Sequence, residues 1–121
     1  MFERVAAAIG HIKAGELRAL AVTAARRLPI LPDIPTLGEF LPGYEAAGWG
    51  GIGAPRNTPA EIVDKLNKQI NAALADPTIK TRIADLGSVP MPTTPVAFAN
   101  FIAAETEKWA KVIKFAGIKP L

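Results

Sequence analysis

Three stretches of the chain carry apolar residues at helical spacing, and each opens on the same pair, a short oxygen-bearing residue followed by proline: Thr58-Pro59, Asp76-Pro77 and Thr94-Pro95. Such a side chain can accept hydrogen bonds from the first unpaired N–H groups of a helix. Proline loses nothing there, because its missing N–H has no intrahelical role. After the first pair, Ile62, Leu66, Ile70 and Leu74 recur every fourth residue, with Val63 and Ala73 beside them. That spacing predicts a helix over 59–75, and Glu61, three residues after Thr58, suggests a capping box. The second stretch, with Ile79, Ile83 and Leu86, predicts a short helix ended by Gly87. The third, through Phe98, Phe101, Ile102, Trp109, Val112, Ile113 and Ala116, predicts a helix of roughly five turns ended by Gly117. Lys108, Lys111 and Lys114 lie toward its C-terminal end, where cations complement the helix dipole.

The first half follows a different pattern. Val5 to Lys13 predicts a helix closed by Gly15, and Leu17 to Thr23 has the length and alternation of a strand. Prolines at 29, 32, 35 and 42 then interrupt every regular period. The segment 24–44 is therefore expected to be a connector with one short turn capped by Thr36. Tyr44 to Gly53, with Trp49 among the glycines Gly43, Gly48, Gly50, Gly51 and Gly53, suits a strand that another backbone approaches closely, and a weaker third strand is expected at Ser88 to Met91. Strands interleaved with helices predict an α/β fold, a small sheet covered by capped helices.

The composition changes this picture only by exclusion. The chain has 121 residues, half of them hydrophobic, and charges that sum to +3 with the two signs interleaved. That pattern argues against disorder, against a membrane-spanning helix and against a nucleic-acid face. With no cysteine, disulfides, Cys-ligated zinc and thiol nucleophiles drop out, and no metal-ligand spacing or cofactor motif stands out. One histidine and one serine, His11 and Ser88, are a thin inventory for hydrolysis, and neither sits in a nucleophile-elbow pattern, so no catalytic residue is assigned. Asp64, Asp76, Asp85, Glu105 and Glu107 fall on helix faces or at caps. The glycines around Trp49 lack a following lysine with Ser or Thr and do not open directly into a helix, so they do not make a phosphate loop. A carboxylate-accepting backbone site there remains open beside tight packing under the tryptophan. Arg26-Arg27 is an isolated basic pair. The N-terminal stretch does not have the pattern of a secretory signal, which would suit a cytoplasmic protein if the chain were a complete product.

The ordered set of motifs carries more than any one of them. The run His11 to Thr23, then Leu31-Pro32-Asp33-Ile34-Pro35-Thr36, Pro42-Gly43-Tyr44, Trp49-Gly50 and Ala54-Pro55 closely resembles the substrate-binding proteins of tripartite tricarboxylate transporters, the Bug family. Thr58-Pro59 with Glu61-Ile62-Val63, Leu74-Ala75-Asp76-Pro77, Leu86-Gly87 and Glu105-Thr106-Glu107-Lys108-Trp109 are similar to that family in the same register. The resemblance implies the C-terminal portion of a bilobal type II periplasmic-binding-protein fold. Residues 1–44 would be the end of the second lobe and its return connector, and residues 45–121 the segment completing the first lobe. It further implies a small carboxylate or dicarboxylate ligand, membrane transporter subunits as partners and a periplasmic location. By matching position it implies pocket or hinge roles for Thr23, Asp33, Thr36, Trp49 and Gly50. Capping and turn formation would equally explain Asp33 and Thr36, and lobe packing would explain Trp49. A second expectation follows from the family's missing N-terminal half: a truncated chain that binds no solute and acts as a homo-oligomeric or interaction module.

Overall fold

The structure is a computed structural model and describes residues 1–119. Its helices are α1 (Val5–Lys13), α2 (Ala60–Ala75), α3 (Pro77–Asp85) and α4 (Pro95–Phe115), with a single 3-10 turn at Leu37–Glu39. The cap-and-proline signal sets two of the starts as expected. Asp76 Oδ1 accepts the N–H groups of Thr78 and Ile79 at 2.8 and 3.1 Å, and Thr94 Oγ1 accepts that of Ala97 at 3.1 Å. At α2 the expected capping box does not form. The Thr58 hydroxyl instead donates backward to the Pro55 carbonyl at 2.8 Å, closing a turn, and the Ile62 and Val63 N–H groups bond to the Pro59 carbonyl.

Three helices end in the same way. The residues after the last turn are Gly15, Gly87 and Gly117, with φ of 75°, 69° and 66°. In each, the N–H that follows the glycine reaches back to a carbonyl in the last turn: Glu16 to His11, Ser88 to Ile83 and Ile118 to Ile113. This is the Schellman ending that glycine favours, because a side chain at positive φ is strained.

The fold is α/β, but its sheet is smaller than expected. Among the described residues, the segments 17–23, 44–53 and 88–91 form no ladder, and pairing is reduced to one parallel bridge between Val22 and Thr36. The reason lies in the donors. Prolines at 29, 32, 35, 90 and 92 cannot supply ladder N–H groups, and extended segments without neighbouring strands have nothing to pair with.

The chain divides into two compact units. The first comprises Met1–Gly53 and Ala73–Met91, with α1, the proline-rich connector, the bridge and α3. Gly87 lies close against α1, where a Cβ in its place would overlap the Val5 side chain. The second comprises Ala54–Ala72 and the residues from Pro92 on, and so contains most of α2 and all of α4. Here Asn67 and Asn71, one turn apart on α2, both donate to the Thr93 carbonyl at 2.9 and 3.0 Å, and Thr93 N–H donates to Asn71 Oδ1 at 3.2 Å. That clasp holds the start of α4 against α2. Along α4, Phe98, Phe101, Glu105 and Lys108 are half-buried at the three-and-four spacing of a packing seam. Glu105 accepts from Lys108 Nζ at 3.1 Å and from Trp109 Nε1 at 2.9 Å, which ties the second half of the seam together.

Candidate functional site

The site is built on Val22, the buried apolar residue of the first unit. Val22 N–H donates to the Pro35 carbonyl at 2.9 Å, and its carbonyl accepts Leu37 N–H at 2.8 Å. Both groups of one residue face the same neighbour, which is the hydrogen-bond geometry of a parallel pair. Proline at 35 fits, because only its carbonyl is used. The next carbonyl, Thr23, faces the opposite side and accepts Ala46 N–H at 2.9 Å. Residues 22 and 23 are thus the middle of three extended passes, with 35–37 on one side and 46 on the other.

This arrangement brings together much of what the sequence singled out. Thr36 is the buried polar residue beside Val22, and Thr23 follows Val22 directly. Trp49 and Gly50 lie three and four residues beyond the contact at Ala46. Trp49 is 43% exposed, so the structure does not seat it in a core. Around Gly50 a side chain would meet nothing within 4 Å. Among the described residues, the N–H groups of Gly48, Gly50, Gly51 and Gly53 enter no backbone–backbone bond, which leaves a row of main-chain donors on the extended pass. Asp33 is exposed and stands apart from this group. Its carboxylate acts on Arg27, whose pKa it helps raise after the larger effect of Glu39.

The sequence reading missed the ion pair that fixes the connector. Arg27 Nε and Nη2 donate to the two carboxylate oxygens of Glu39 at 2.9 and 2.6 Å, and Arg27 Nη1 reaches the Pro32 carbonyl at 3.4 Å. Glu39 Oε1 also accepts Thr36 N–H at 2.9 Å. The Arg27 hydrogen bonds, then the Thr36 amide, lower the Glu39 pKa to about 2. The signal was present in Glu39 standing three residues after Thr36, the reach-back half of a capping box. Twelve residues separate Glu39 from Arg27, and no local pattern joins them.

His11 Nδ1 pairs with the Glu16 carboxylate at the end of α1, and Ser88 closes α3 through its backbone. Among the described residues no three His, Asp or Glu side chains gather as metal ligands, and no helix is long and apolar enough to cross a membrane.

Comparison with known proteins matches residues 1–118 to the tripartite tricarboxylate transporter family receptor. A protein from the TAR-I ttuE-ttuC' intergenic region of Agrobacterium vitis is 44% identical over 111 residues, covering 88% of this chain and 32% of the relative. Among solved structures, R. palustris Rpa4515 with adipate superposes with a TM-score of 0.86 at 42% identity, over 97% of this chain and 40% of that one. The periplasmic binding protein BugD superposes with a TM-score of 0.82 at 36% identity, over 93% of this chain and 38% of that one. The chain thus spans about a third of the length of the curated relative and about two fifths of the solved structures.

Proposed function

The chain belongs to the tripartite tricarboxylate transporter receptor family, whose members are substrate-binding receptors rather than an enzyme class, and on that premise we propose that it serves in solute capture without chemical conversion. The ligand is a small carboxylate or dicarboxylate, the location periplasmic, and the partners are the membrane subunits to which a receptor delivers its solute. The lobe assignment follows the same reading, with residues 1–44 ending the second lobe and 45–121 completing the first. The observation that carries the proposal is the three-pass junction. It pairs Val22 with Thr36, follows Val22 directly with Thr23, and leads into Trp49 and Gly50 with a row of glycine N–H groups that enter no backbone–backbone bond. Main-chain donors of this kind suit a carboxylate, because each offers a fixed dipole and no net charge has to be buried to supply it. Adipate, bound by the R. palustris relative, is a dicarboxylate and gives the probe. In this reading Thr23, Thr36, Trp49 and Gly50 line the pocket, and Asp33 shapes the connector through Arg27.

The test is titration of the 121-residue protein with adipate, shorter dicarboxylates, aromatic acids and amino acids, following tryptophan fluorescence and thermal stability. A ligand of the folded state raises stability with concentration. The expected result is a rise with dicarboxylates that weakens in Thr36→Val. A second reading, a homo-oligomeric module without solute, is favoured by the exposed apolar residues of α2 and α4, among them Ile62, Leu66 and Ile113. A stable oligomer that responds to no anion would establish that reading in place of the first.

A further inference from the structure

The turn at Leu37–Glu39 touches both flanks of the junction. On one side, Leu37 N–H donates to the Val22 carbonyl at 2.8 Å, and Glu39 Oε1 accepts the Thr36 N–H at 2.9 Å. On the other, a Cβ at Gly38 would stand 3.3 Å from the Tyr44 carbonyl oxygen and 3.7 Å from Thr36 Oγ1, so the turn lies directly against the start of the pass that carries Trp49 and Gly50. A single 3-10 turn has little stability of its own, because few hydrogen bonds hold it and their geometry is poor. This one is anchored from outside. Arg27 forks onto both carboxylate oxygens of Glu39 at 2.9 and 2.6 Å, and its Nη1 reaches the Pro32 carbonyl at 3.4 Å. A bidentate guanidinium–carboxylate pair fixes direction as well as distance. With its fork committed to Glu39, Arg27 is not the group that meets a ligand carboxylate.

We propose that Arg27 and Glu39 are positioning residues of the candidate site: acting through the Thr36 amide and the 37–39 turn, they hold the three extended passes at the separation in which Thr36, Thr23 and the glycine N–H groups meet one carboxylate. The carboxylate rests on the function proposed above, whereas the hold on the passes does not. The sign of the effect sets positioning apart from plain electrostatics. Glu39 is an anion beside a site for anions, so Coulomb repulsion alone would make Glu39→Gln bind a carboxylate more tightly. Loss of a positioning group makes binding weaker even though a negative charge has gone, because the site is no longer preorganised.

The experiment is an adipate titration of the 121-residue protein and its variants at a temperature where each is folded, paired with amide hydrogen exchange without ligand. Glu39→Gln is expected to weaken adipate binding about tenfold or more and to speed exchange of the Val22 and Leu37 N–H groups by a similar factor. The Phe98 N–H, bonded to the Thr94 carbonyl in the second unit, should be unchanged and serves as internal reference. Arg27→Gln should match Glu39→Gln in both measurements, and the double variant should be little worse than either, because the two groups act as one. Arg26→Gln removes a neighbouring exposed positive charge, and Gly15→Ala strains the end of α1 in the same unit. Each should change affinity less than about twofold, which separates positioning from charge and from general destabilisation. Should Glu39→Gln fail to fold, Arg27→Lys, which keeps the charge but cannot fork, decides in its place with the same direction expected. Affinity that is unchanged or tighter in Glu39→Gln overturns the proposal, as does an equal loss in Gly15→Ala. If the parent responds to no acid while exchange at Val22 and Leu37 is faster in Glu39→Gln, the carboxylate reading falls and the hold on the passes stands. Unaltered exchange at those two amides overturns the hold whatever the titration shows.

Discussion

At the scale of single residues, the connector is fixed by charge rather than by apolar packing. Glu39 accepts three hydrogen bonds, two from Arg27 and one from the Thr36 amide, and each favours its ionised form. Its pKa falls from 4.5 to about 2 on folding. Because the folded value is the lower one, the pair contributes stability above pH 4.5, and that contribution drains away as pH falls through about 2. In Glu39→Gln this acid-dependent loss should vanish. The variant should melt lower than the parent at pH 7, and the two melting curves should converge between pH 4.5 and 2, as thermal unfolding across that range will show. Curves that run parallel would mean the ion pair does not hold the connector. The consequence reaches the site, since the amide that Glu39 captures belongs to Thr36, whose neighbours Pro35 and Leu37 complete the bridge to Val22.

At the scale of elements, the ends of helices were the most legible part of the sequence, because caps are local chemistry. Asp76 and Thr94 cap as their types and their following prolines dictate, and Gly15, Gly87 and Gly117 terminate as glycines do. Thr58 does not cap α2: its hydroxyl donates backward to the Pro55 carbonyl, and among the described residues no first-turn N–H bonds to its oxygen. The clasp of Asn67 and Asn71 on Thr93 was not legible, since it joins residues more than twenty positions apart. The same distinction separates two glycines of identical backbone role. Gly15 and Gly87 both have positive φ, but a Cβ at Gly15 would enter open space, while at Gly87 it would overlap Val5. Gly15→Ala should therefore cost the left-handed strain alone, about 1–2 kcal/mol. Gly87→Ala should cost roughly 1–3 kcal/mol more from overpacking. Adding Val5→Gly, which removes both the Cγ1 and the Cβ that the new methyl would meet, should recover most of that excess in the Gly87 variant, so a urea-denaturation cycle on the four proteins tests the contact itself. Equal losses at the two glycines would count against it.

At the scale of the whole molecule, the sequence showed which residues are apolar but not what covers them. Leu20 and Val22 stand two residues apart and would share one face of the strand expected at 17–23, yet Val22 is buried and Leu20 is 74% exposed. Site residues followed the same rule. Of the residues singled out by family resemblance, Thr36 pairs with Val22 in a bridge the chain forms by itself, and Thr23 follows Val22 directly. Trp49 and Gly50 stand on a pass whose far side meets no strand among the described residues. The physical cause is shared: a strand or an apolar helix face is completed by elements distant in sequence, and a segment spanning about a third of its relative's length carries few of them. Burial that is this sparse has a measurable result. Denaturant sensitivity scales with the surface newly exposed on unfolding, and Phe40, Ile52, Val89 and Val96 are already at least 66% exposed. The isolated protein should unfold with a urea m-value at or below about 1 kcal/mol/M, the lower end for small domains, and should bind a hydrophobic dye in its native state. Supplying the rest of the receptor fold should steepen the transition and displace the dye together, because both signals report the same uncovered apolar area. A steep transition in the isolated chain, with no dye bound, would show that these faces are already covered in solution.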